Sequence, residues 1–450
     1  MRSISVIMPL YNAGKFLAEA LQSVLNQTGK DFELICINDC STDDTRKILC
    51  DFQERDKRIR ILDNEYHLGA APSRNKGLNA AEGKYILFLD GDDIFEEELL
   101  EKTSKTIEKY QADIVIFEYM HTPSDEINKK RVKEHSADYV EKFCRTPFSV
   151  CDCTLVDFSN WSSSPCDKLF RKSFLRDNYL EFQDLPSFND VYFAKMALFC
   201  AGKIICLDDD RVMVYARDHD EPSRISRDRN PMCAYYAIEK LAKELKERNM
   251  MEKCFIHLYH FMANTFWSLL IYGKDGKRSK DFCQFLHDKG IADCIAYGKE
   301  FYDRIEIYDK YIIENFQNKA YDSRWFEHMD TYFECYLKHR GQILRRFINE
   351  KLQQDKKIIV WGIGKNGTSL LKYLNEHFIK VYAAVDTNEE KQGITVCGYE
   401  VSEPHEICAK ADYVLAVGKP VYLHAEKIMK DSNVRVINVF DLLEEKDGIL

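Results

Sequence analysis

Two carboxylates close the apolar run Tyr85-Ile86-Leu87-Phe88-Leu89, in the segment Asp90-Gly91-Asp92-Asp93. A buried strand ending there delivers both to a sheet edge. Strand side chains alternate faces, so extended backbone carried through Gly91 points Asp90 and Asp92 the same way. Like charges held together need a cation or a proton to compensate them. Magnesium or manganese takes one or two carboxylates and keeps positions for phosphate oxygens and water, so this pair predicts a site for a metal-bound diphosphate. Taken alone, Asp-Gly-Asp is an ordinary turn, because both residue types are common in loops.

Three other segments change that weighting. Pro9-Leu10-Tyr11-Asn12 and Asn38-Asp39-Cys40-Ser41 each follow an apolar stretch, and Arg74-Asn75-Lys76-Gly77 sits near the start of the helix before Asp90. Together they suit a nucleotide sugar: a base lies against Tyr11, Asp39 accepts a hydrogen from a pyrimidine imide, and Arg74 pairs with diphosphate. Singly, Tyr11 reads as a rim aromatic, Asp39 as a turn former and Arg74 as a solvated helix residue.

The elements that must position these residues alternate strand and helix. Ile4 to Met8, Phe32 to Ile37, Ile59 to Leu62 and Tyr85 to Leu89 read as strands. Gly14 to Gln27 carries an apolar face (Phe16, Ala20 and Val24, with Leu17, Leu21 and Leu25 beside them), Ser41 to Asp44 supplies capping oxygens for a second helix, and Ala70 to Ala81 is a third. Leu99 to Tyr110 is a further helix and Ala112 to Tyr119 a further strand. An α/β layer around a largely parallel sheet follows, with ligands expected at the carboxyl ends of its strands.

At 450 residues and 45% hydrophobic content the chain is long enough for about two to three domains. The formal net charge of −10 disfavours a nucleic-acid track, which needs a basic face. The apolar stretches fall short of the roughly 20 residues of a spanning helix, and no signal-peptide pattern opens the chain, so a cytoplasmic protein is expected. Sixteen scattered cysteines show no zinc spacing and predict buried, reduced thiols. From about Pro231 to Glu350 the text becomes helical and aromatic. The stripe Phe255, Leu258, Tyr259, Met262, Phe266 predicts core packing, with contact to a lipid-linked acceptor as the other reading. Basic groups around Lys274–Lys280 and Lys338–Arg346 permit peripheral attraction to the inner membrane face.

The ordered set Ser5-Val6-Ile7-Met8-Pro9-Leu10-Tyr11-Asn12, Ile37-Asn38-Asp39-Cys40-Ser41-Thr42-Asp43, Arg74-Asn75-Lys76-Gly77-Leu78 and Phe88-Leu89-Asp90-Gly91-Asp92-Asp93 resembles the family 2 glycosyltransferases of the GT-A fold, over roughly the first half of the chain. The resemblance implies that Pro9, Tyr11, Asp39 and Arg74 bind the donor, with Asp90 and Asp92 at the metal (Mn2+ or Mg2+) and sugar diphosphate. It implies an inverting hexosyl or N-acetylhexosaminyl transfer, from a UDP-sugar to a saccharide or lipid-linked saccharide acceptor, in surface polysaccharide or glycoconjugate synthesis. By the same likeness Asp190, in Phe188-Asn189-Asp190-Val191, is the catalytic base, and Asp167 a weaker alternative. Arg217 and His219 resemble residues that close over diphosphate, although a surface turn explains them equally well. Asp190 also reads as a helix cap. The chain departs from the family where Asn38 and Cys40 stand in place of an acid and a glycine, and where Asn189 replaces the first acid of a pair.

The last hundred residues repeat an α/β pattern. Lys357 to Trp361 is a strand, Gly362-Ile363-Gly364-Lys365-Asn366-Gly367 opens a helix, and Asp386 follows the strand Val381 to Val385, a context for a Rossmann-like nucleotide site. Gly362, Gly364, Gly367 and Asp386 are the candidate contacts for NAD or another nucleotide. The glycines would serve tight helix packing equally well. The expected organisation is a GT-A catalytic domain over 1–228, a helical accessory region over 229–352 and a Rossmann-like unit over 353–450. The alternatives to a transferase are an NAD-dependent or nucleotide-sugar-modifying enzyme acting through the last unit, and a scaffold around a lapsed transferase.

Overall fold

A computed structural model describes residues 3–123, 143–155, 158, 161–208, 213–218, 230–272, 276–305, 307–318, 332–351, 356–404, 407, 410–417, 419–430 and 432–444. The chain divides into two compact units, one of residues 1–305 and 316–320, the other of 306–315 and 321–450.

In the first unit β1 (Ile4–Leu10), β2 (Phe32–Asn38), β3 (Ile59–Asp63) and β4 (Tyr85–Phe88) are parallel, with Ile4 opposite both Phe32 and Tyr85. Their continuous apolar runs are what a sheet covered on both faces requires. Helices α1 (Gly14–Leu25), α2 (Thr45–Arg55) and α3 (Ala70–Ala80) make the crossovers. α1 buries Leu17, Ala20, Leu21 and Val24 of the face its spacing predicts, while Phe16 and Leu25 are half-buried at its margins. α3 lies close on the sheet because residue 77 is glycine: a Cβ there would stand 2.4 Å from Ile7 Cγ2 and 2.8 Å from Ile37 Cδ1. After β5 (Ile94–Phe95) and α4 (Leu99–Tyr110), the expected single strand over 112–119 is two. β6 (Ile114–Ile116) joins the main sheet and β7 (Tyr119–Pro123) a second one. β8 (Lys168–Arg171), β9 (Ile204–Cys206) and β10 (Val214–Asp218) complete the orders β3-β2-β1-β4-β8-β6-β9 and β5-β10-β7. Strand β8 is antiparallel to β4 and β6, so the sheet is mixed beyond β4.

Helices Pro231–Glu247 and Met251–Tyr272 also belong to this unit. The first is capped by Asn230, whose side chain accepts from Met232 N–H at 3.0 Å, with Pro231 in the first turn. Phe255, Leu258, Tyr259, Met262 and Phe266 are all buried, which makes the aromatic stripe core. No helix among the described residues is long and apolar enough to cross a membrane.

The second unit has β11 (Ile358–Trp361), β12 (Ala383–Val385), β13 (Thr395–Val396), β14 (Tyr399–Ser402), β15 (Tyr413–Ala416) and β16 (Arg435–Asn438), ordered β13-β14-β12-β11-β15-β16. All pairings are parallel except β13 with β14. Helix Tyr332–Lys351 packs on helix Lys365–Glu376, joined by a 2.6 Å hydrogen bond from Ser369 Oγ to Glu334. The helical stretch between the two α/β segments is thus shared between units.

Candidate functional site

The first four parallel strands end on one edge, and the predicted donor residues stand there. Pro9 lies in register with Ile37, and Asp39 N–H donates to Leu10 O at 2.8 Å, which fastens the first two loops together. Asn12, at φ +50°, accepts from Thr42 N–H at 2.8 Å, and its own N–H reaches Ser41 Oγ at 3.1 Å. The family departures have local explanations. Asn38 donates to Asp63 at 2.8 Å, which an acid could not do, and accepts from Ser41 N–H at 3.2 Å. Cys40 sits at φ +59°, the left-handed region where glycine is at ease.

Asp39 is 2% exposed and its carboxylate is fully engaged. Oδ1 accepts from Asn64 Nδ2 at 2.7 Å and Leu68 N–H at 2.8 Å; Oδ2 accepts from Gly69 N–H at 2.8 Å and pairs with His67 Nδ1 at 2.8 Å. A carboxylate offers about four acceptor sites, so none is spare.

The acidic segment is built differently from the sequence expectation. Strand β4 stops at Phe88; Leu89 N–H still donates to Ile7 O, and then Asp93 N–H turns back to Asp90 O at 3.4 Å. Asp90 and Asp92 therefore belong to a turn rather than an extended strand. Gly91 seats that turn on Leu10, whose Cδ2 would lie 2.1 Å from a Cβ at position 91. Asp93, which the sequence reading gave no role, is buried. Burial, then the charges of Asp90 and Asp92, hold its carboxyl well above the usual carboxylate range. Such crowded negative charge is what a divalent cation relieves. The donor set is hard oxygen. Among the described residues no cluster of three or more His, Cys, Asp or Glu side chains is placed to hold a metal, but magnesium needs only one or two carboxylates when phosphate supplies the rest. The residues fit the ion.

Arg74 is the hub of the site. On the buried face of α3 it donates through Nη2 to Asp90 at 2.8 Å and through Nη1 to Asn189 at 3.4 Å, with its guanidinium 5.4 Å from the Phe182 ring centre. Burial works against its charge, but Asp90, Cys166 and Asp190 outweigh it and hold its pKa above the ordinary value. Asn75 fixes the partner segment: its Nδ2 donates to Phe182 O at 2.9 Å and its Oδ1 accepts Phe182 N–H at 2.8 Å. This clamp was missed in the sequence, where the one sign was a polar side chain beside Arg74 on an inward helix face.

Asp190 holds the N-cap position of helix Val191–Cys200 without a side-chain capping hydrogen bond. The preceding Phe188, at φ +56°, makes the sharp entry that turns residues 189 and 190 towards Arg74. Asp167 is engaged differently. It is buried and bound to Lys168 Nζ at 2.5 Å, while Lys168 also reaches Ser162 O and Ser164 O, so this pair is structural. Arg217 is buried against the acidic turn, donating to Asp92 O at 3.2 Å and to Glu19 at 2.7 Å, with Phe16 beneath it at 4.3 Å. His219 lies outside the described residues.

The glycine loop of the second unit borders a cavity of about 560 Å³ lined by Trp361, Gly364, Lys365, Asp386 and His424 among others. Gly362 is at φ +95°, and a Cβ at Gly367 would meet Gly362 O at 2.1 Å, so those two glycines serve the turn and helix packing. Gly364 precedes helix Lys365–Glu376 as its cap. Asp386 accepts from Ile363 N–H of the glycine loop at 2.7 Å, and from Asn388 N–H at 2.9 Å and Lys391 Nζ at 3.1 Å, so three of its acceptor sites are engaged.

The family model for glycosyl transferase family 2 matches residues 5–163, and that for C2185-like, N-terminal matches residues 354–441. The glycosyltransferase GlyG of Streptococcus pneumoniae is 30% identical over 215 residues, covering 46% of this chain and 68% of GlyG. The chain is a family 2 glycosyltransferase. The poly(ribitol-phosphate) beta-N-acetylglucosaminyltransferase TarS of Staphylococcus aureus is 26% identical over 56% of this chain and 42% of TarS. A crystal structure of S. aureus TarS 1-349 in complex with UDP-GlcNAc superposes with a TM-score of 0.55 at 24% identity, covering 70% of this chain and 89% of that TarS fragment. That likeness gives this glycosyltransferase the GT-A fold.

Proposed function

We propose that this glycosyltransferase moves a hexosyl or N-acetylhexosaminyl group from a UDP-sugar to an acceptor hydroxyl with inversion. One observation carries the reading: a single buried guanidinium, Arg74, joins Asp90 of the acidic turn to Asn189, the neighbour of Asp190. Leaving-group and acceptor chemistry thereby share one centre. Tyr11 and Asp39 receive the nucleobase, Pro9 shapes the strand end beneath them, and Arg74 pairs with the diphosphate. Asp90 and Asp92 would hold Mn2+ or Mg2+, which when bound neutralises charge developing on the leaving diphosphate. Asp190 takes the acceptor proton as the new bond forms on the face opposite the leaving group. Arg217 keeps the acidic turn in place through the Asp92 carbonyl.

The acceptor is a saccharide or lipid-linked saccharide of surface polysaccharide or glycoconjugate synthesis, a reading supported by the poly(ribitol-phosphate) polymer in the name of TarS. We take the enzyme to work in the cytoplasm, peripherally at the inner membrane face when its acceptor is lipid-linked. Catalysis belongs to residues 1–228, with 229–352 accessory and 353–450 a separate nucleotide-binding-type unit. A panel of nucleotide sugars scored for nucleoside diphosphate release, with manganese, magnesium or chelator, tests this. UDP release that requires the metal and disappears in Asp92→Ala is expected; release unaffected by chelator and by that substitution would overturn the metal assignment.

A further inference from the structure

We propose that His67 is a built-in competitor for the nucleobase, holding the base site until the donor displaces it; this rests on the reading of Tyr11 and Asp39 as nucleobase contacts. The imidazole stacks on Tyr11, with ring centroids 3.9 Å apart and planes inclined by 28°. At the same time its Nδ1 lies 2.8 Å from Asp39 Oδ2. A flat heteroaromatic ring on Tyr11 that presents an N–H to Asp39 is the interaction a pyrimidine imide would make. The imidazole therefore reproduces both halves of base recognition from within the chain.

The Asp39 carboxylate has no acceptor site to spare, so an incoming imide must replace one of its four donors. Three are costly to move. Leu68 N–H and Gly69 N–H are backbone groups at the entry to α3, and the Asn64 side chain is buried and also accepts from Lys76 Nζ at 3.0 Å. His67 is the fourth, with a side chain 51% exposed, and its ring also covers Tyr11, which is itself 41% exposed. Turning His67 outward frees the stacking face and one lone pair of Asp39 Oδ2 together. Leu68 and Gly69 stay bound to the same carboxylate, so the backbone that enters α3, and hence Arg74, need not move. The exchange lowers donor affinity without altering the diphosphate contacts, and it favours a ring that offers an N–H over one that offers only acceptors.

Calorimetry with UDP on the full chain tests the exchange. His67→Ala is expected to bind UDP about three- to tenfold more tightly than the parent, the scale of one aromatic stack and one half-exposed hydrogen bond. In the parent protein, the His67 ring-proton resonances should lose the ring-current shift of Tyr11 as UDP is added. Unchanged or weaker UDP binding by His67→Ala, or His67 resonances that do not respond to UDP, would overturn the proposal. If Tyr11→Ala weakens UDP binding in the same series, the base-site reading survives that failure. If Tyr11→Ala and Asp39→Asn both bind UDP as the parent does, the base-site reading falls and this inference with it.

Discussion

Replacing Asp190 separates catalysis from helix capping, because the structure assigns the two roles different costs. The residue stands at the N-cap of Val191–Cys200, yet its side chain makes no capping hydrogen bond. A capping carboxylate lost to alanine costs typically about 1 kcal/mol. No capping bond is there to lose, but the Asp190 charge also supports the buried Arg74, so Asp190→Ala should cost about 1 kcal/mol of unfolding stability. Catalysis should respond very differently. A positioned general base contributes about 10²- to 10⁴-fold, and at about 1.36 kcal/mol per decade that is roughly 2.7 to 5.4 kcal/mol of barrier. Asp190→Asn keeps the shape and removes the basicity, and the Arg74 bonds to Asp90 and Asn189 do not pass through it. The expected result is UDP affinity within about threefold of the parent, with turnover reduced by at least about 10². Calorimetry with UDP, steady-state UDP release at saturating donor, and urea unfolding of Asp190→Ala are the three measurements. Turnover of Asp190→Asn near the parental rate would remove the base assignment; a stability loss above about 3 kcal/mol in Asp190→Ala would show a structural role as large as the catalytic one.

Three further outcomes follow from particular contacts. Arg74→Lys keeps a cation but cannot fork between Asp90 and Asn189, so UDP affinity should fall about tenfold, near 1.4 kcal/mol, and calorimetric affinity within twofold of the parent would detach Arg74 from the diphosphate. Glu33 is buried in β2 and accepts from Ser5 Oγ at 2.7 Å, Glu82 N–H at 2.7 Å and Arg60 at 2.5 Å; burial raises its pKa, these donors outweigh that, and the folded value lies below the ordinary one. Its contribution is therefore complete above the unfolded glutamate value of about 4.3 and is lost as pH falls through the lower folded value, so Glu33→Gln should flatten the acid loss of urea stability, and an unchanged pH profile would refute this. Cys40→Gly should leave stability unchanged or raise it by up to about 1 kcal/mol, since relief of the positive φ offsets the entropy glycine adds to the unfolded chain; a urea midpoint shifted down by more than that would show that the cysteine side chain contributes here.

Several features were legible in the sequence because they depend on local periodicity or on residue types whose chemistry is narrow. Apolar runs gave β1, β2 and β4, four-residue spacing gave α1 and the buried stripe from Phe255 to Phe266, and the ordered polar loops gave the family. Tertiary structure decided how the polar groups are spent. Asp167 and Lys168 are buried as a pair, and Asp386 turns its carboxylate on the glycine loop. The acidic pair sits in a turn, because Asp93 N–H closes back on Asp90 O and Gly91 packs on Leu10. Arg74 reaches Asn189 across 115 residues of chain, through a clamp by Asn75 that no spacing rule foretells. The physical reason is range. Periodicity and backbone preference act over a few residues and are written in the sequence, whereas a hydrogen bond or a desolvated charge is settled by whichever group the fold brings within about 3 Å.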